Sequence, residues 1–260
     1  MGTKSILRTC FVLLFVLGRS PIATASLPNY TDSESELPSS SQESKKSFQG
    51  SLSGLYAIPT WRLPHISQPQ NDFGSLYLQA QIAQNELEQL IQQTSMITGT
   101  SASSPGIKSR DRAEDKIATE LNGSVHKLTD LARGSLVAND INSLVQTFEL
   151  LSKDVTIVEV KNRFKQPAKS GYRDLKMLVR LPNSQHIAEI QLHLEGISDI
   201  KNGKEHQLYE QIQTIERIAK ANNRQLNDIE LAKIRQLRNQ SQYLYSSAWQ
   251  EYLQPKLAVS

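Results

Sequence analysis

The sequence predicts an α+β fold: a small mixed β-sheet with helices before, within and after it. Two observations carry this reading. Val155–Phe164 alternates, with Val155, Ile157, Glu159 and Lys161 on one face and Thr156, Val158 and Val160 on the other. Two more strand-like runs follow, Tyr172–Leu181 and His186–Leu194, joined through Pro182-Asn183. Helical periodicity then brackets these strands on both sides.

Taken from the N-terminus, Lys4 and Arg8 precede an apolar run, Cys10 to Leu17, and Ala23-Thr24-Ala25 offers small residues for cleavage. This has the form of a secretory signal peptide over residues 1–25, cleaved after Ala25, with export to the periplasm or the medium as the expectation. The run is about half the roughly 20 residues that span a bilayer, so no stable membrane insertion is expected after cleavage. Cys10 is the chain's one cysteine. Residues beyond 25 therefore have no access to disulfides or thiolate ligands.

Residues 26–70 are rich in Ser and Pro with acidic Asp32, Glu34, Glu36 and Glu43, and read as a disordered linker. Residues 71–100 read as one amphipathic helix, with Leu76, Leu78, Ile82, Leu87, Leu90, Ile91 and Ile97 at helical spacing. Ser101 to Gly106 breaks it. Residues 101–222 then hold helical Arg112–Leu121, a strand in Leu131–Ala138, a helix over Asp140–Leu151 capped by Asp140, and the three strand runs. The helical stretches Gly196–Asn222 and Asp228–Leu253 meet at a turn near Asn222-Asn223, and residues 223–260 read as a C-terminal helix.

The formal charge of +3 lies wholly in residues 1–25, and the rest has 26 bases against 26 acids. That disfavours a generally basic nucleic-acid coat. The balance is uneven, however. Lys161, Arg163, Lys165, Lys169, Arg173, Lys176 and Arg180 face only Asp174 within Lys161–Arg180, a local +6. Such a strip is either a solvated strand edge or a polyphosphate site. Lys169-Ser-Gly-Tyr172 adds a flexible turn and an exposed ring that could stack on a base. A second basic cluster, Lys108 to Lys116, opens a helix, with Arg112 and Lys116 on one face.

Two acids stand out. Asp130 precedes a strand, and Glu189 lies mid-strand with Gln191 and His193 on its face. A polar strand face is ordinarily the solvent side of a sheet. Two carboxylates from adjacent strands could instead hold a Mg²⁺ between phosphate oxygens, or one could deprotonate a hydroxyl.

Lys108–Lys116, the turn Asp130-Leu-Ala-Arg-Gly134, Arg163-Phe164 with Ser170-Gly-Tyr172, Glu189-Ile-Gln191 and His206-x-x-Tyr209 resemble, in order and spacing, the RelA/SpoT-type synthetase domain. The resemblance covers about Ile107–Arg217, under half of the chain. It implies a nucleotidyltransferase-like sheet that moves pyrophosphate from ATP to a ribose 3′-hydroxyl of GDP or GTP. It implies Asp130 and Glu189 as Mg²⁺ ligands, with Glu189 as general base. By the same likeness Arg110, Arg112 and Lys116, with Lys108 in the same cluster, meet the donor ATP. Lys161, Arg163 and Lys169 neutralise phosphates, and Tyr172 stacks on the acceptor base. Lys176, Gln191 and His193 complete the nucleotide site.

Two positions depart from the family pattern: Lys176 stands where a histidine is usual, and His193 where an arginine is usual. Both bear on acceptor identity. No His-Asp dipeptide occurs, so the hydrolase half of the bifunctional members is not expected. Export and ATP chemistry fit together if the protein is an effector or toxin that works inside a target cell. The alternatives are pyrophosphorylation of an adenine nucleotide or an RNA 3′ end, or an inactive nucleotide-binding module.

Overall fold

The expected signal peptide and residues 26–38 lie outside the residues, 39–254, that the computed structural model describes. Within them the expected linker is folded. Ser39–Ala57 forms α1 and Trp61–Arg62 forms β1. Phe48, Leu52, Leu55 and Tyr56 recur at helical spacing and pack into the main core, where Leu55 is fully buried. The surrounding serines hide that periodicity from a composition-based reading.

Then come α2 (Phe73–Thr98), β2 (Ser101–Ser103), α3 (Arg110–Thr119), β3 (Arg133–Ala138), α4 (Ile141–Asp154), β4 (Thr156–Asn162), β5 (Leu175–Arg180), β6 (Ile187–Leu194), α5 (Glu195–Asn202), α6 (Lys204–Ala221) and α7 (Asp228–Tyr252). Local chemistry sets the helix starts. Asp72 caps α2 by accepting from the Ser75 amide, Asp140 caps α4 through the Ser143 amide, and Asn227 with Glu230 forms a capping box on α7. The helix expected over Gly196–Asn222 is two. At Gly203 the backbone turns to φ −111°, ψ −115°. A Cβ there would lie 2.8 Å from the Asp199 carbonyl, so only glycine makes that break.

The six strands form one mixed sheet in the order β1-β4-β5-β6-β3-β2. Only β3 and β6 run parallel; the other pairs are antiparallel. One face carries Leu136, Val160, Met177, Val179, Ile190 and Leu192 into a core shared with α1, α2, α4 and α7. On α2, Ala83, Leu87 and Ile91 enter that core, whereas Leu78, Ile82 and Ile97 from the expected apolar stripe are exposed. The opposite face holds Arg133, Lys176, Glu189 and Gln191, and alternation alone produces this division. At one end Ile66 covers Val158, Leu178 and Ile187 on the polar side, where a bulge between Ile157 and Glu159 breaks the strict alternation expected in β4 and puts Val158 and Val160 on opposite faces. There Gln68 stands in for a missing strand: it donates to the Leu128 and Ile187 carbonyls at 2.9 and 2.8 Å and accepts from the Ile187 amide at 2.8 Å.

Asn162 joins the N-terminal segment to the sheet. Its buried amide donates to the Leu55 and Ile58 carbonyls at 2.8 and 3.0 Å and accepts from the Phe164 and Lys165 amides at 3.1 and 3.2 Å. Asn162→Ala leaves two carbonyls and a backbone turn without partners. It should lower unfolding free energy by roughly 3 kcal/mol in urea titration, since orphaning buried polar groups carries their full desolvation penalty. A loss below about 1 kcal/mol would show that α1 is not anchored there.

Candidate active site

The parallel pairing brings the two acids to one end of the sheet. Arg133 on β3 lies opposite Glu189 on β6, and the Glu189 amide bonds the Ala132 carbonyl at 3.0 Å. Asp130 lies two residues before Ala132. Each carboxylate is held by lysine. Lys108 and Lys116 reach Asp130 Oδ2 at 2.7 and 2.8 Å. Lys176 reaches Glu189 Oε2 at 2.9 Å, while Gln191 donates to Glu189 Oε1 at 2.7 Å. Burial acts to raise the Asp130 pKa, but the two ammonium groups outweigh it and hold the carboxyl below its ordinary range. Among the described residues, Asp130 Oδ1 is buried without any partner.

Beside the acids lies a connected polar network. Asp174 is fully buried and accepts from Arg163 at 2.6 Å and from the Tyr172 hydroxyl at 2.9 Å. Burial works against the Arg163 charge, yet the Asp174 carboxylate holds the guanidinium above its ordinary pKa. His193 stands between Tyr172, at 3.4 Å from Nδ1, and Lys201, at 3.5 Å from Nε2. Because a lysine ammonium can only donate, the ring proton belongs on Nδ1, facing the Tyr172 oxygen, and the Tyr172 hydroxyl proton goes to Asp174. Lys201 also donates to Gln191 Oε1 at 3.1 Å. Burial lowers the Lys201 pKa, and the Arg163 and Arg133 charges add to that.

This network walls a cleft of about 460 Å³ whose lining includes Arg163, Tyr172, Gln191, Lys201, Glu205 and Tyr245. Tyr245 on α7 meets the Tyr172 ring edge-on at 5.6 Å and donates to Glu205 at 3.0 Å. The turn before Tyr172 packs on the same helix. Gly171 has φ +83°, and a Cβ there would sit 3.2 Å from the Gln242 Cα. The C-terminal helix, read from sequence as a separate element, thus forms the back of the cleft.

The expected site residues fall into three groups. Asp130, Glu189, Lys108, Lys116, Lys176, Gln191, Arg163 and Tyr172 occupy this one end and face, although the four bases among them are engaged by carboxylates rather than open to a ligand. Lys161 and Lys169 are exposed. Lys161 lies cross-strand from Lys176, a like-charge pair that Glu189 relieves. Arg110 and Arg112 are exposed on α3, and Arg110 pairs with Glu114 and lies 5.0 Å over the Phe73 ring.

Two expectations need correction. His193 is 2% exposed, wedged between Tyr172 and Lys201, so it orders those two side chains instead of presenting itself to a nucleotide. Tyr172 is not a freely exposed ring. Its hydroxyl is bound to Asp174, and Arg163 and Lys201 lie 5.7 and 5.8 Å over it. Asp174, Lys201, Glu205, Tyr245 and Arg133 were missed. A lone acid in a basic strip marked Asp174; Lys201, Glu205 and Tyr245 sit in ordinary amphipathic helix sequence, without any such signal.

Among the described residues no group of three or more His, Cys, Asp or Glu side chains is arranged to hold a metal. Asp130 and Glu189 offer hard carboxylate oxygens, the donors Mg²⁺ takes, and the unpartnered Asp130 Oδ1 is free for a cation.

Solved structures with this architecture include the type VI effector Tas1, determined in complex with its immunity protein. It has a TM-score of 0.51 and 19% identity, over 68% of this chain and 96% of that one. Small alarmone synthetase 2 from Bacillus subtilis has a TM-score of 0.50 and 20% identity, over 70% of this chain and 95% of its own. A GTP pyrophosphokinase family protein from Streptococcus pneumoniae has 0.51 and 16%, over 70% and 88%. No protein-family model and no curated protein sequence matches the chain. The likeness shows the fold: a RelA/SpoT-type synthetase domain fold, of pyrophosphokinase-like architecture.

Two buried histidines make stability pH-dependent. Burial lowers His186 to about 4 and His193 to about 3 from the ordinary 6.5. Both are depressed, so their stabilisation is complete above pH 6.5 and is lost as pH falls toward those folded values. By pH 5 each should have removed about 2 kcal/mol. Urea midpoints should therefore drop between pH 7.5 and 5, and His193→Gln should abolish its share of the drop. A flat midpoint across that range contradicts the buried neutral rings.

Proposed function

We propose that this RelA/SpoT-type synthetase fold serves as an ATP-dependent nucleotide pyrophosphokinase that transfers pyrophosphate to the 3′-hydroxyl of a guanine nucleotide. One observation carries the reading: Asp130 and Glu189 stand at the same end of the parallel β3–β6 pair, each held by lysines, beside a cation-lined cleft. Phosphoryl-group transfer needs positioning and charge neutralisation more than covalent help, and this end of the sheet supplies both.

In this reading Glu189 accepts the proton from the acceptor hydroxyl. Lys176 holds that carboxylate in place and shifts to phosphate oxygen when substrate enters. Lys108 and Lys116 keep Asp130 ionised and lie where donor phosphates arrive. The cleft beside Tyr172 takes the acceptor base, with Arg163 and Lys201 near its phosphates. Asp130 and Glu189 would hold Mg²⁺, which when bound neutralises phosphate charge. The expected signal peptide and the shared fold with a type VI effector support an exported effector.

The test is to incubate the purified chain with γ-labelled ATP, Mg²⁺ and, separately, GDP, GTP, ADP, AMP and tRNA. A labelled product with GDP or GTP is expected, reduced about a hundred-fold or more in Glu189→Gln and in Asp130→Asn. Product on ADP, AMP or tRNA alone would reassign the acceptor. No product on any acceptor, with nucleotide binding intact, would overturn the enzymatic reading in favour of a binding module. Omitting Mg²⁺ with excess chelator should abolish turnover; full activity without it would remove the metal from the proposal.

A further inference from the structure

Among the described residues, every half-buried cation named above around the two acids is engaged by an anion or a polar acceptor, except one. Lys108 and Lys116 pair with Asp130, Lys176 with Glu189, and Arg163 with Asp174, while Lys201 donates to Gln191. Arg133 has no side-chain hydrogen bond and no ion pair among the described residues, and its Nε is buried without a partner. Its backbone, by contrast, is fixed at both ends of one residue. The Arg133 amide donates to Gln84 Oε1 at 2.9 Å, and its carbonyl accepts from Gln84 Nε2 at 3.0 Å. Gln84 is itself buried and held by Ser104 at 2.8 Å.

The register places Arg133 directly across from Glu189, and in-register residues of a parallel pair share a face. The guanidinium therefore lies on the face of the general base. Its charge adds to the forces that lower Lys201 on the same side. A half-buried guanidinium with an unpaired nitrogen is unfavourable unless an anion completes it. The planar fork of an arginine matches two oxygens of one phosphate.

We propose that Arg133 is a catalytic residue whose guanidinium holds the β-phosphoryl group in transfer, an arginine finger supplied by the chain itself; this rests on the pyrophosphokinase reading. The acceptor 3′-oxygen forms a bond to the ATP β-phosphorus as the bond from that phosphorus to the α–β bridging oxygen breaks. The bond's electron pair leaves with AMP, and the hydroxyl proton passes to Glu189. Negative charge gathers on the β-phosphoryl oxygens opposite the residue that takes the proton, which is where Arg133 stands. Its partner in the resting chain is missing because that partner is the substrate.

The test compares the purified chain with Arg133→Met, Arg133→Lys and Arg133→Ala in two assays. The first is pyrophosphate transfer from ATP. The second is binding of the non-transferable analogue α,β-methylene ATP by calorimetry with Mg²⁺. Arg133→Met should lower kcat roughly a hundred-fold to a thousand-fold, with thermal unfolding unchanged or raised because no protein contact is lost. Arg133→Lys should recover part of the rate, and added methylguanidinium should rescue Arg133→Ala, which a merely structural arginine would not allow. Arg133→Met should also weaken analogue binding about ten-fold. If the variants match the parent in both rate and binding, the assignment of Arg133 is overturned. If the parent binds the analogue but transfers nothing, the pyrophosphokinase reading fails, and the role in phosphate binding is decided by Arg133→Met in calorimetry alone. If the parent binds no analogue, both fall.

Discussion

The parallel pairing of β3 with β6 is the constraint on which the site depends. It joins segments more than fifty residues apart and sets Arg133 opposite Glu189, Ser135 opposite Gln191 and Val137 opposite His193. Because strand side chains alternate with period two, a slip of one residue would send Glu189 into the apolar core and Ile190 into the polar face. The core enforces the register from behind: Ile190 and Leu192 are buried among the residues of α2 and α4. Gln68 and Gln84, from the segments flanking α2 and within it, pin the start of β6 and of β3 by paired backbone hydrogen bonds. The site is thus positioned by glutamines that touch none of its chemistry.

Its electrostatics follow one plan. Acids are brought in where cations already stand, so Asp130, Asp174 and Glu189 are each satisfied in the resting chain by lysine or arginine, while Glu205 is held by the Tyr245 hydroxyl. Asp174 is the extreme case. It is wholly buried, and it is bound by Arg163 and Tyr172, the latter ordered in turn by His193 and Lys201. Removing one partner of such a pair leaves an uncompensated buried charge, which is strongly destabilising. Around Asp130 the arrangement is looser, with two lysines on one oxygen and none on the other. A cleft walled by a fully partnered network thus lies beside a looser cluster of lysines around one carboxylate.

Much of this was legible. The alternation in Val155–Phe164 and His186–Leu194 located the strands β4 and β6, and Asp140 marked the start of α4 through its cap. Asp130 and Glu189 were visible as acids in strand-like contexts. Less legible was the partnering of charges. The seven bases of Lys161–Arg180 read as a uniform basic strip. The fold instead engages Arg163 and Lys176 with carboxylates, lays Arg173 5.1 Å from the Trp249 ring and leaves Lys161, Lys165 and Lys169 exposed. The segment from Ser39 was misread because its few apolar residues are diluted by serine, although their spacing is helical.

By itself the sequence determined the α+β class, the alternating faces of β6, the Asp140 cap of α4 and the two acids, because each depends on neighbours within a few residues. Tertiary structure alone decided which cation meets which anion, that His193 is buried, that α7 backs the cleft and that Arg133, across from Glu189, has no side-chain partner among the described residues. Those outcomes depend on strand order and register, which bring together residues far apart in the chain. The physical reason is one of range: alternation and capping are short-range properties, whereas desolvation and ion pairing are fixed only once the sheet has chosen its neighbours.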